Sequence, residues 1–175
     1  FSSNLMAHKF VVCDTTQNQN FVYVYDERDA AKGCDAVCSL RWNHLCKLWL
    51  QLEAAGREFP SRLVIVMDNC PGQNKSHLTF RFDMLISVVF NVTITNLYLK
   101  PGHSHMRADR IVALSKRVLR GRDLYTLPEI VTQMDTAKTL TAELFTDVFY
   151  DWQSLLEKHF PRIPAGSSKH YCFEV

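Results

Sequence analysis

The amino-acid sequence predicts an α/β fold, a mixed sheet flanked by helices, and three observations carry that expectation. Short β-rich runs alternate along the chain with longer stretches whose apolar residues recur at helical spacing. One run, Leu63 to Met67, is apolar throughout and stops at Asp68, with Asn69-Cys70-Pro71-Gly72 directly behind it. A short apolar run bounded by turn residues reads as a buried, parallel strand. It delivers Asp68 to the carboxyl edge of a sheet, where open α/β folds place their ligands. The third observation is size: 175 residues, 47% of them hydrophobic, suffice for one sizeable core.

Each element follows from local pattern. Lys9 to Cys13 and Phe21 to Tyr25 are two strands, joined by the polar, hairpin-like stretch Thr15 to Asn20. A long helix comes next, with Val37, Leu40, Leu45, Leu48, Trp49 and Leu52 on one stripe and an end near Gly56. Pro60 separates it from the strand that leads to Asp68. Ser76 to Phe90 reads as a largely apolar helix and Thr93 to Leu99 as another strand. Ala108 to Arg120 is helical and stops at Gly121. On it, Ile111, Leu114 and Val118 form a stripe opposite Asp109, Lys116 and Arg120. Leu127 to Ala137 reads as a short helix, with Pro128 suited to its first turn. Asp151 to Phe160 is another helix, and Tyr171 to Val175 closes as a strand. No repeat, low-complexity tract or linker interrupts the chain. Residues 1–175 are expected to form one domain, with 122–175 as a C-terminal α/β extension.

Composition narrows the function classes. A net charge of +2 is nearly neutral, so any nucleic-acid contact has to come from a local patch. The six cysteines (Cys13, Cys34, Cys38, Cys46, Cys70, Cys172) show neither a CxxC pair nor zinc-finger spacing. Scattered over core-like positions, they read as reduced thiols of an intracellular protein. No apolar run reaches transmembrane length, so no membrane partner is expected. The chain opens on Phe1 without a charged-then-apolar signal, and its start is expected to lie upstream.

Two segments carry the chemistry. Asp68 ends a strand beside a Pro-Gly turn. Asp109 heads a helix after Pro101-Gly102-His103-Ser104-His105. Carboxylates set at strand and helix ends beside such turns suit a divalent-metal site for phosphodiester chemistry. Each also has a plainer role: Asp68 and Asn69 suit a cap or turn, and Asp109 suits the positive end of a helix. Asn69, Gln73 and Asn74 can orient water or phosphate around a metal, or satisfy the backbone of the turn. His103 stays open between ligand and turn-former, whereas His105 reads as a turn-former. Lys100 to Arg122 holds seven Lys/Arg and a single acid, Asp109. Such a run is either a ridge for a nucleic-acid backbone or an ordinary solvated face.

The box Asp68-Asn-Cys-Pro-Gly-Gln-Asn-Lys75, followed by Gly102-His103-Ser104 and Asp109, resembles transposase-derived proteins of the DDE integrase superfamily. The likeness runs from about Phe10 to Val175 and includes Tyr25-Asp26-Glu27 and Asp151-Trp152. Where the pattern has Phe-Gly after the second Asp, this chain has Val112-Ala113. The resemblance implies a ribonuclease-H-like fold whose first, central strand is missing, and that matches the order strand, strand, helix, strand, helix, strand, helix. It implies catalysis by two Mg²⁺ or Mn²⁺ ions on three carboxylates, with Asp68 as the second and Asp109 as the third. The first is expected on a strand before Phe1; Asp14 ends a strand where the pattern places no ligand. Residues 1–175 by themselves are therefore expected to be catalytically inactive, as a fragment or a decayed remnant, and the parent to be a metal-dependent DNA transposase or nuclease. The alternative is a non-catalytic nucleic-acid-binding or protein-interaction domain. The implied partner is double-stranded DNA, held at its phosphates by Lys75, Lys100, Arg110, Lys116, Arg117 and Arg120, in a nuclear protein that can form homo-oligomers.

Overall fold

Strand and helix signals are realised as two three-stranded sheets, each with its own helices. The structure is a computed structural model that describes residues 6–70, 73–100, 106–160 and 170–175. In chain order the elements begin with β1 (Ala7–Asp14), β2 (Gln19–Asp26), α1 (Cys34–Ala54), β3 (Arg62–Met67), α2 (His77–Phe90) and β4 (Thr93–Tyr98). There follow α3 (Arg107–Leu119), α4 (Leu127–Asp135), β5 (Thr141–Leu144), α5 (Trp152–His159) and β6 (Cys172–Glu174). The chain divides into two compact units, Phe1–Ala31 with His105–Asp147, and Lys32–Ser104 with Val148–Val175. No helix among the described residues is long and apolar enough to cross a membrane.

The first unit holds the sheet β1-β2-β5, with β1 antiparallel and β5 parallel to β2. Its hairpin is built by Asp14, whose carboxylate accepts the N–H groups of Thr16 and Gln17 at 2.8 Å, while Asn18 takes a left-handed φ of 57°. Asp14 is thus a turn-former. Val22, Val24 and Ala142 of the sheet pack with Ile111 of α3 and Met134 of α4. Leu114 and Val118 join them, so the predicted stripe of α3 faces the core. Thr126 and Glu129 form a capping box at the start of α4, with Pro128 in its first turn. At the end of β2, buried Asp26 accepts the Arg28 N–H at 2.8 Å and its guanidinium at 2.6 Å.

β5 is absent from the sequence expectation. Its four residues, Thr-Ala-Glu-Leu, carry little strand preference. Pairing with β2 and the N–H of Ala142, donated at 2.7 Å to Asp135, make it a strand.

The second unit holds the sheet β3-β4-β6, with β4 parallel to β3 and β6 antiparallel to β4. Phe82 and Ile86 of α2 pack with Leu45 of α1, Ile94 of β4 and Trp152 and Leu156 of α5. Each fully buried side chain of this size contributes about 2 kcal/mol. Ser39 ties α5 to α1: its hydroxyl accepts Trp152 Nε1–H at 2.9 Å and the Tyr150 N–H at 3.0 Å, and donates to the Asp35 carbonyl. That uses every bond a hydroxyl can make. Deeper in the core, Arg41 meets Asp83 at 2.5 Å, and the amide of Asn96 donates to the other oxygen at 2.6 Å.

Two expectations need correction here. The run leading to Asp68 is parallel as expected but not buried on both sides. Leu63, Ile65 and Met67 turn inward, while Val64 and Val66 are exposed, because the apolar cluster forms on one face of the sheet. Trp49, expected on the core stripe of α1, is also exposed. Among the described residues β1 pairs only with β2 and β3 only with β4, leaving each as an edge.

Removing one partner of a buried ion pair strands the other charge, at a cost of about 3–5 kcal/mol. Asp83→Ala is expected to lose that much in urea unfolding, and Arg41→Met with Asp83→Leu to recover most of it. A single variant within about 1 kcal/mol of wild type would show that the pair is not anchoring the core. The hydrogen bond from Arg28 holds the Asp26 carboxyl below its ordinary range, against the opposing effect of burial. Its contribution is therefore present above about pH 4 and disappears as pH falls through the lowered folded value. The urea midpoints of wild type and Asp26→Asn should differ by a constant amount at neutral pH and converge in acid. A gap that widens in acid would contradict this.

Candidate functional site

At the end of β3, Asp68 is half-buried, and its carboxylate accepts a hydrogen bond from the side-chain amide of Asn74. Asn69 is half-buried beside it. The Cys70 carbonyl accepts the N–H groups of Gln73, Asn74 and Lys75 at 3.3, 3.0 and 3.0 Å. The segment then enters α2 through Ser76, whose hydroxyl accepts the Thr79 N–H at 3.1 Å. The Gln73 carbonyl accepts the Thr79 hydroxyl at 3.2 Å, and the Asn74 carbonyl accepts the Tyr98 hydroxyl at 3.1 Å. Gln73 and Asn74 therefore shape the segment through their backbones, and Asn74 also reaches Asp68.

Lys75 is not on an open face as a phosphate-contacting residue would be. Its side chain is buried, with Nζ 5.1 Å from the centroid of Tyr98 and 4.8 Å from that of Tyr171. Burial lowers its pKa below the usual lysine range. Neither tyrosine was expected in the site. Their only sequence signal is aromatic residues at a strand end and in the alternation Tyr171-Cys172-Phe173.

Asp109 lies in the other unit, in the first turn of α3, where its carboxylate accepts the Met106 N–H at 2.8 Å. It acts as a helix-terminal acceptor, the plainer of its two expected roles. His103 lies outside the described residues, as do Gly102, Ser104, His105, Pro71 and Gly72. Among the described residues no three His, Cys, Asp or Glu side chains group to hold a metal ion. Oxygen donors such as Asp68 and Asp109 suit a hard divalent cation.

α3 presents Arg110, Lys116 and Arg117 to solvent on the side away from Ile111 and Ser115, and Arg120, also exposed, follows directly after the helix. None of the four forms an ion pair among the described residues. Arg107 is different: it donates to the side-chain oxygens of Asn20 and Asn18 at 2.8 and 2.7 Å, anchoring the helix to the hairpin. Lys9 of β1 reaches the same helix, donating to Ser115 Oγ at 3.4 Å. Burial and then the charge of Lys116 lower its pKa. Lys9 escapes a sequence reading because only the packing of α3 on β1 brings it there. Lys100 is exposed just beyond β4, in the second unit.

An α/β protein with a strand-end carboxylate and a basic helix is thus defined. The chain belongs to the family described as Domain of unknown function (DUF7869), whose model matches residues 10–175. No curated protein and no solved structure matches the chain.

If Asp68 ligates a cation, Asp68→Asn should weaken Mn²⁺ binding about tenfold or more in calorimetry. Equal affinity in the variant would remove Asp68 from any metal site.

Proposed function

We propose that this chain is a transposase-derived, ribonuclease-H-like domain that binds double-stranded DNA through the phosphate backbone. The basic face of α3 is the observation that carries the proposal. Arg110, Lys116, Arg117 and Arg120 are exposed, with no acidic partner among the described residues. A surface charge run is usually laced with opposite charges; an unanswered one leaves its counter-ions to be displaced by a polyanion. Lys9, drawn toward the same helix despite the cost of placing it near Lys116, adds to the field. The contacts are to phosphate, so sequence selectivity is not expected from this face.

The Asp68 box and Asp109 support the DDE part of the proposal by their spacing and residue types. Within the second unit, Asp68 is the residue that would hold Mg²⁺ or Mn²⁺. Such ions would supply charge stabilisation at a scissile phosphate. Asn74 orients the Asp68 carboxylate, and Asp109 stabilises the start of the helix that carries the basic face. Nuclear residence goes with this function. For residues 1–175, backbone binding is the activity proposed.

Lys116→Ala combined with Arg120→Ala removes two phosphate contacts. The slope of log K against log salt for duplex DNA should fall by about 1.8, with circular dichroism unchanged. An unchanged slope would reduce the α3 face to solvated surface.

A further inference from the structure

Among the described residues, no carboxylate answers the charge of Lys75. Its side chain is 5% exposed, and it forms no ion pair among the described residues. Two aromatic rings face its ammonium group instead, Tyr98 at 5.1 Å and Tyr171 at 4.8 Å. An ammonium withdrawn from water needs compensation, and the negative faces of aromatic rings provide it. The rings come from distant parts of the chain: Tyr98 ends β4, and Tyr171 leads into β6. They are joined by the backbone, since the Tyr98 N–H donates to the Tyr171 carbonyl at 2.8 Å. Phe173 packs beside Tyr98, with its ring 5.9 Å from Tyr98 and 4.4 Å from Phe80. Tyr98 also holds the Asn74 carbonyl, and the amide of Asn74 meets Asp68.

We propose that Tyr98 and Tyr171 are positioning residues whose rings clamp the Lys75 ammonium and so keep Asn74 against the Asp68 carboxylate. The segment His170 to Val175 is on this account a working part of the Asp68 site. Lys75 is then an internal anchor and not a contact to phosphate. The consequence for a metal rests on the proposed function, whereas the clamp does not.

The test is amine acylation of the full chain by N-hydroxysuccinimidyl acetate, quantified lysine by lysine by mass spectrometry. Exposed Lys116 serves as reference, and the fully buried Cys38 thiol reports unfolding. In wild type, Lys75 should react about tenfold or more slowly than Lys116. Tyr171→Phe should keep that protection, and Tyr171→Ala should remove most of it while Cys38 stays unreactive. Equal rates for Lys75 and Lys116 in wild type, or unchanged protection in Tyr171→Ala, would overturn the clamp. If Tyr171→Ala exposes Cys38, adding Lys75→Met should restore the fold by deleting the uncompensated charge; failure to restore it overturns the clamp equally.

Calorimetry with Mn²⁺ then judges the positioning role. Tyr171→Ala should weaken binding several-fold, and Tyr171→Phe should leave it at the wild-type value. Lost protection with unchanged Mn²⁺ affinity would overturn the positioning of Asp68. A wild-type chain that binds no Mn²⁺ overturns the metal site, and acylation alone then decides the clamp.

Discussion

Asp83 lies at zero exposure within α2, and the second unit is organised around answering its charge. Arg41 of α1 takes one oxygen and Asn96 of β4 the other, so one carboxylate fixes three elements at once. A buried pair of this kind adds little net stability, because desolvation offsets the attraction. Its effect is on register, since sliding any of the three elements would leave a buried charge or amide unpaired. Asp83 stands two turns beyond Ser76, and Asn96 stands two residues before Tyr98. Fixing α2 against β4 at Asp83 therefore helps set where the segment just before the cap of α2 meets the Tyr98 hydroxyl, at the Asn74 carbonyl next to Lys75.

The acids at element ends divide by what they satisfy. Asp14, Asp109 and Asp151 each accept backbone N–H groups and so complete a turn or a helix start. Asp26 combines such bonds with the Arg28 guanidinium. Asp68 differs, because its partner is the side-chain amide of Asn74, which is itself held in place by Tyr98. A carboxylate oriented by a neighbouring amide keeps lone pairs available for a cation. Asp109 is more committed to its helix, and its value to the proposed DNA contact lies in where it sets the start of α3.

Much of the fold was legible in the residues. The strand signals at Lys9, Phe21, Leu63 and Thr93 and the helix signals from Val37, Ser76, Ala108, Leu127 and Asp151 each correspond to an element. They were readable because propensity, apolar period and caps agree there, as in Thr126-Leu127-Pro128-Glu129. Where the local signals are weak or silent, the expectation failed. The residues Thr141 to Leu144 carry no strong strand pattern, and the alternation hidden in Leu63 to Met67 is invisible when every residue is apolar.

For the site, the sequence by itself determined which chemical groups stand at the strand end and along α3: Asp68 with its amides, and a basic helix headed by Asp109. Those follow from covalent order and periodicity, which are local properties. Tertiary structure alone decided that Lys75 turns inward, that the Tyr171 ring stands 4.8 Å from its ammonium, that Lys9 joins α3, and that Arg41 and Asp83 meet. Each of those depends on which surfaces pack together, and packing pairs residues far apart in the chain through contacts that no local pattern encodes.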